Sequence, residues 1–312
     1  MFSFIFINVV FYRIGEHGTD RSAQILLLLI FTIFFELIYF EKSDKNIFIK
    51  LNLLLIFIFL ASSMKVIYYL YLILIPIIFI KKDFIKKFLI KKNILLIFFL
   101  SLSLFLNLIT NYFNTGCFLY PAEKTCLVLQ EWSIPKEEVK IMSTHYEWWS
   151  KAGGGPGYEN EMDRELYTKN FLWVSNWIDR HFFNKVSDTL LGIIFISILV
   201  YLSFKFSGKN KKRIKKNYIL AYFIPLFFLS EWFLNHPAMR YGGYVLFGIP
   251  FFVFASIQLE KINLSSKKIY LNTMIFIFLT IVVFNSRNVV RIFKEIRVYN
   301  YDIIKSPYFY ID

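Results

Sequence analysis

Apolar stretches of about 15–20 residues recur along most of this chain, close to the length that a hydrocarbon core of ~30 Å demands. Reading the runs between charged breaks gives nine candidate spans: residues 1–12, 22–40, 47–61, 66–80, 93–110, 189–204, 218–234, 244–259 and 268–284. The break from Ala61 to Lys65 reads as a turn between two spans rather than a polar kink in one. Composition agrees: 57% of the 312 residues are apolar against an ordinary share of roughly 45–50%. The pattern excludes a soluble globular domain and a disordered chain, and the presence of only two Cys excludes a disulfide-dense module. The expected fold is an all-α integral membrane protein of about nine transmembrane helices.

A net charge of +14 raises the question of nucleic acid, and its distribution answers it. Residues 81–92 carry six Lys and one Asp, and residues 205–217 carry seven Lys or Arg and no acid. Two short loops therefore hold +12 of the +14, which is what the positive-inside rule predicts for cytoplasmic connections. Contact with anionic headgroups suffices to explain the basicity, and no nucleic-acid partner is expected. Placing those loops inside puts the N-terminus inside as well. Residues 13–21, Ala61–Lys65, 111–188, 235–243 and the C-terminal tail then fall outside. The long outer segment has a net charge of −3, opposite in sign to the inner loops.

This reading divides the chain into a membrane bundle of about five spans (1–110), an outer-face subdomain (111–188), a second bundle of four spans (189–284) and an outer tail (285–312). Within the outer segment, residues 160–183 repeat Leu166, Phe171, Val174, Ile178 and Phe182 at helical spacing with flanking Trp. That predicts one amphipathic helix on the bilayer surface, its aromatics at headgroup depth. Residues 1–12 lack the basic start and small-residue cleavage site of a signal peptide. A span beginning abruptly at Met1 suggests the C-terminal portion of a longer protein, or a truncated relative of one.

Few residues carry chemistry. Cys117 and Cys126 lie on the expected outer side with Pro121 between them, and an oxidising compartment favours a disulfide. His236 to Tyr244 (HPAMRYGGY) joins two spans. Arg240 at the membrane face is costly unless paired, and its fork suits a phosphate. His236 can add a hydrogen bond, and Tyr241 and Tyr244 can stack on a sugar. Gly242 and Gly243 would let backbone approach a ligand. Alternatively, Arg240 pairs with Glu231 and ties a loop down. Glu16 and Asp20 are candidate general bases, while Thr19 or Asp20 equally suits a helix cap. Lys65 reads as a snorkelling side chain and Glu36 as a helix-terminus effect. Glu159, Glu161, Asp163 and Glu165 alternate, with His145 and Glu147 upstream. They leave room for a divalent cation, but their spacing matches no metal site and reads better as a solvated acidic face. There is no phosphate-binding glycine loop, HExxH, CxxC or Ser-His-Asp set.

Four segments occur in order: NYFNTGCFLYPAEKTC, WSIPKEEV, NFLWVSNWIDRHF and HPAMRYGGY. The set resembles a family of largely uncharacterised bacterial polytopic membrane proteins regarded as glycosyltransferases of the GT-C type, associated with surface polysaccharide. The resemblance implies a polyprenyl-phosphate-linked sugar donor, an outer-face site in the bacterial cytoplasmic membrane, and an acidic base in the first outer loop. Glu16 and Asp20 are the nearest acids to that position. Two other readings stand beside it: a transporter or flippase for a lipid-linked sugar, and a non-catalytic membrane fragment or accessory subunit.

Overall fold

The computed structural model describes residues 2–12, 19–40, 44–82, 91–127, 130–152, 163–204, 218–259 and 266–300. Glu16, Glu159, Glu161, the basic loop 205–217 and most of the basic loop 81–92 lie outside the described residues. Among the described residues the chain is helical throughout, with one isolated antiparallel bridge, Cys117 to Cys126, and no strand. The helices are α1 (Phe2–Val10), α2 (Asp20–Tyr39), α3 (Asp44–Met64), a 3-10 helix (Val66–Ile73) running into α4 (Leu74–Lys82), α5 (Lys91–Thr115) and α6 (Lys136–Lys151). There follow α7 (Arg164–Thr168), α8 (Val174–Trp177), a π-helical segment (Ile178–Val186), α9 (Ser187–Phe204), α10 (Ile219–Asn235), α11 (Gly243–Leu259) and α12 (Ser266–Tyr299).

The count of nine spans is corrected. Among the described residues, five helical stretches are long and apolar enough to cross a membrane: Asp20–Tyr39, Lys45–Met64, Ile97–Thr115, Val174–Leu202 and Lys267–Tyr299. Val66–Ile80, Ile219–Asn235 and Gly243–Ile257 are apolar but shorter, and α1 has 9 residues. The physical reason is rise: the 17 residues of α10, at about 1.5 Å each, reach roughly 25 Å against a core of ~30 Å. Two helices are separated near Ala61–Lys65, as the sequence suggests, but the break is Lys65 alone, because α3 stays helical from Ala61 to Met64.

The chain divides into two units, one of Thr19–Gly192 with Ile214–Val253, the other of Met1–Gly18, Ile193–Arg213 and Phe254–Asp312. In the larger unit, α2 buries Ala23, Leu27, Ile30, Phe31, Phe34, Leu37 and Ile38, a stripe at helical spacing. Leu51, Leu54 and Ile58 of α3 are buried as well. Tyr71 stacks on Phe228 of α10 at 4.3 Å, and Phe31 meets both rings edge-on at 5.8 Å. At one end of α2, Tyr39 Oη accepts a hydrogen bond from the Ala221 amide at the start of α10 (3.0 Å). At the other, Gln24 donates to the Met239 carbonyl just beyond α10 (3.2 Å). These two helices are therefore antiparallel. Glu36 is no isolated terminus residue, because Lys50 of α3 pairs with it at 2.9 Å.

Cys117 and Cys126 are bonded to each other, as expected. Leu127 donates to the Gly116 carbonyl and Phe118 to that of Thr125, so the bridge clips a short ladder at the end of α5, with Val139 of α6 packed against it. The single amphipathic helix expected over 160–183 is absent from the described residues. Asn170 and Phe171 adopt positive φ and interrupt it, and Trp173 and Trp177 turn inward, 1% and 4% exposed. Those rings pack inside the protein rather than along an exposed helix face. In the smaller unit, Arg287 of α12 lies over the Tyr12 ring at 3.4 Å and donates to the Val9 carbonyl.

Candidate functional site

The segment between α10 and α11 is held by side chains that take its backbone carbonyls. Trp232 Nε1 donates to Ala238 O (2.9 Å), Trp177 Nε1 to Pro237 O (2.7 Å), and Gln24 Nε2 to Met239 O. The Met239 amide donates to His181 Nε2 at 3.3 Å. A 3-10 turn, Met239–Tyr241, then ends at Gly242, whose φ of +105° belongs to the left-handed region. Ala238 and Met239 are buried, and Arg240 is left pointing outward with its side chain half exposed.

Arg240 meets Asp20, not Glu231: the guanidinium lies 2.8 Å from Asp20 Oδ2. Glu231 instead accepts from Asn235 at 3.1 Å. The second oxygen of Asp20, Oδ1, is held by Lys65, which occupies the extended break between α3 and the 3-10 helix. Asp20 opens α2, where the helix N-terminus favours a carboxylate. Thr19, not Asp20, stands at the cap position, and its side chain makes no cap hydrogen bond. Three elements distant in sequence thus place one carboxylate between two cations. Lys65 is 15% exposed and Asp20 25%, against 50% for Arg240.

Aromatic rings wall this cluster. Lys65 Nζ sits 4.7 Å from the Tyr241 ring centre, and the Arg240 guanidinium lies 5.4 Å from that of Trp149 and 5.9 Å from that of Tyr241. Burial lowers the Lys65 pKa, opposed by its bond to Asp20, and Arg240 lowers it further. Burial raises the Tyr241 hydroxyl, with Arg240 acting against and Asp20 with that shift. His236 stands 5.6 Å from Tyr241, ring to ring. Its Nδ1 is buried without a hydrogen-bond partner among the described residues. Burial holds that imidazole below its ordinary value, with Glu147 raising it and Lys151 lowering it. Tyr244 is partly buried in the first turn of α11.

Two expectations change here. Gly242 and Gly243 serve packing of the segment: a Cβ at Gly243 would stand 2.8 Å from Trp232 Cζ2, and one at Gly242 would face Leu27 and Tyr68. Lys65 does not snorkel freely but is bound to Asp20. Lys65 and Trp149 are the site residues that sequence reasoning missed. A charge isolated in a short break between apolar runs was the available signal for Lys65. Elsewhere, Asp163 caps α7, and Glu165 pairs with Lys140 at 2.9 Å. Among the described residues no three His, Cys, Asp or Glu side chains gather as a metal site.

One carboxylate and two cations leave a surplus positive charge, half exposed through Arg240, at the ends of apolar helices. Such a place attracts an anion, and a guanidinium beside an ammonium binds phosphate well. Fold and site together define an all-helical, membrane-embedded protein with a charged cluster where its helices end. The chain belongs to the family described as domain of unknown function DUF8201, whose model matches residues 1–247 and so includes Asp20, Lys65 and Arg240. No curated protein and no solved structure matches it.

Proposed function

We propose that this protein is a membrane glycosyltransferase of the GT-C type. It moves a sugar from a polyprenyl-phosphate donor to a cell-surface polysaccharide or lipid at the outer face of the bacterial cytoplasmic membrane. The observation that carries the reading is the meeting of Asp20, Lys65 and Arg240 beside Trp149 and Tyr241. An apolar tail then lies along the helices, the phosphate takes Arg240, and the sugar stacks on an aromatic ring. In the transfer step an acceptor hydroxyl oxygen bonds to the anomeric carbon and gives its proton to a carboxylate, Asp20 or Glu16. The bond from that carbon to the phosphate oxygen breaks, and the polyprenyl phosphate leaves with the electron pair. His236 and Tyr244 belong to the same segment as ligand contacts.

Sidedness follows from charge. The Lys/Arg-rich loops 81–92 and 205–217 adjoin Lys82 at the end of α4 and Tyr218 at the start of α10. Tyr218 packs on Tyr39, at the end of α2 remote from Asp20. Basic loops inside therefore put the cluster outside, and the Cys117–Cys126 bond supports the same side for 111–188.

The reading is tested by release of polyprenyl phosphate from a lipid-linked sugar by protein in nanodiscs. Arg240→Ala is expected to weaken use of the donor by about tenfold or more, since a hydrogen bond to a charged group contributes roughly 1.5–3 kcal/mol. Unchanged turnover in a folded variant would leave Arg240 a structural clamp. A second reading, a lipid-binding accessory subunit, draws on one observation: both oxygens of Asp20 are already engaged.

A further inference from the structure

We infer that Asp20 stands in for one phosphoryl group of the ligand, so that a phosphate entering the site takes Lys65 and Arg240 from it. This rests on the proposed donor site and deepens it by naming Lys65 as a second phosphate ligand. It also identifies what holds the site closed when no ligand is present.

The arrangement is that of an internal pseudo-ligand. The two oxygens of one carboxylate bridge an ammonium on one side and a guanidinium on the other. Two oxygens of one phosphoryl group are spaced nearly as those of a carboxylate. A single phosphoryl group can therefore span the same two cations without moving either. In the donor, a phosphodiester, it brings one negative charge as Asp20 does, and in the released monoester, as in farnesyl phosphate, it brings a second. Arg240, half exposed, gives the route in, while Lys65 waits deeper at 15% exposure.

A separate observation points to an occupant. Tyr68 is 1% exposed, and its hydroxyl has no hydrogen-bond partner among the described residues. It lies within electrostatic reach of Asp20, and a Cβ at Gly242 would come 3.8 Å from it. A buried hydroxyl left unpaired is costly, and a phosphate carries oxygens beyond the two that replace the carboxylate, one of which would give it an acceptor. Displacement also resolves the engagement of Asp20: its carboxylate comes free to accept a proton only when the phosphate has replaced it. Base and ligand are thereby coupled through a shared pair of cations.

The consequence is a variant that binds better than the parent. Asp20 keeps the site occupied, so apparent affinity is reduced by the fraction of molecules in which it is open. Farnesyl phosphate is titrated onto the full-length protein in nanodiscs, with inorganic phosphate as a parallel arm. Asp20→Asn is expected to bind farnesyl phosphate about tenfold or more tightly than the parent, and Lys65→Met in the Asp20→Asn background to cancel that gain. Tightening of both probes assigns the site to the phosphoryl group itself, and tightening of farnesyl phosphate alone assigns it to lipid-borne phosphate. A second measurement needs no variant: carbodiimide labelling of Asp20 in the parent, mapped by mass spectrometry, rises when farnesyl phosphate saturates the site. Parent protein that binds farnesyl phosphate with unchanged Asp20 labelling, or a folded Asp20→Asn that binds no tighter, overturns the inference and leaves the donor reading standing. Absence of binding to parent and variants alike overturns the donor reading itself.

Discussion

Asp20 draws its two cations from parts of the chain far apart in sequence, and Arg240 gains its exposure because the residues before it are buried. Arg240 and Asp20 were each legible as functional candidates, because a charge at the membrane face needs a reason to be there. Their pairing was not legible. Spacing along one chain says nothing about which of several acids a guanidinium will meet, and Glu231, nearer in sequence, is taken by Asn235. His236 gives the residue scale its own test. Burial is the main cause of its lowered pKa, so the folded protein holds a neutral imidazole where the unfolded chain already binds a proton. Stability therefore falls as pH drops below about 6.5, until the folded site protonates too. Thermal unfolding in detergent should show a smaller loss on acidification for His236→Gln than for the parent. Equal losses would place the sensitivity in other groups.

At the scale of elements, apolar runs located the helices well, because a run of apolar residues is local information. Whether each helix crosses the bilayer depended on features that composition does not carry. The 3-10 winding of Val66–Ile73, the 17-residue length of α10 and the break at Asn170 and Phe171 all changed the reading. The segment joining α10 to α11 shows how a site element is fixed. Trp232 both donates to Ala238 and packs where a side chain at Gly243 would go. Gly243→Ala brings a methyl group to 2.8 Å from the Trp232 ring and is expected to destabilise by about 1–3 kcal/mol. The melting temperature should fall with it, and Arg240 should lose its registry with Asp20. A melting temperature equal to the parent's would show that the ring can yield.

For the whole molecule, an outer-face site requires the cluster to face away from the basic loops. Reporter fusions after Arg213 and after Gly155 should report opposite sides of the membrane. Identical compartments would remove the outer placement and, with it, the access of an outer-face acceptor to Asp20. The central claim, a phosphate-bearing lipid held at Arg240, is tested most directly by equilibrium binding of a polyprenyl-phosphate sugar to the parent and to Arg240→Ala in nanodiscs. Saturable binding to the parent is expected, weakened about tenfold or more in the variant, in keeping with roughly 1.5–3 kcal/mol for a hydrogen bond to a charged group. Equal affinity in a variant that folds like the parent, or no binding to the parent, would contradict it.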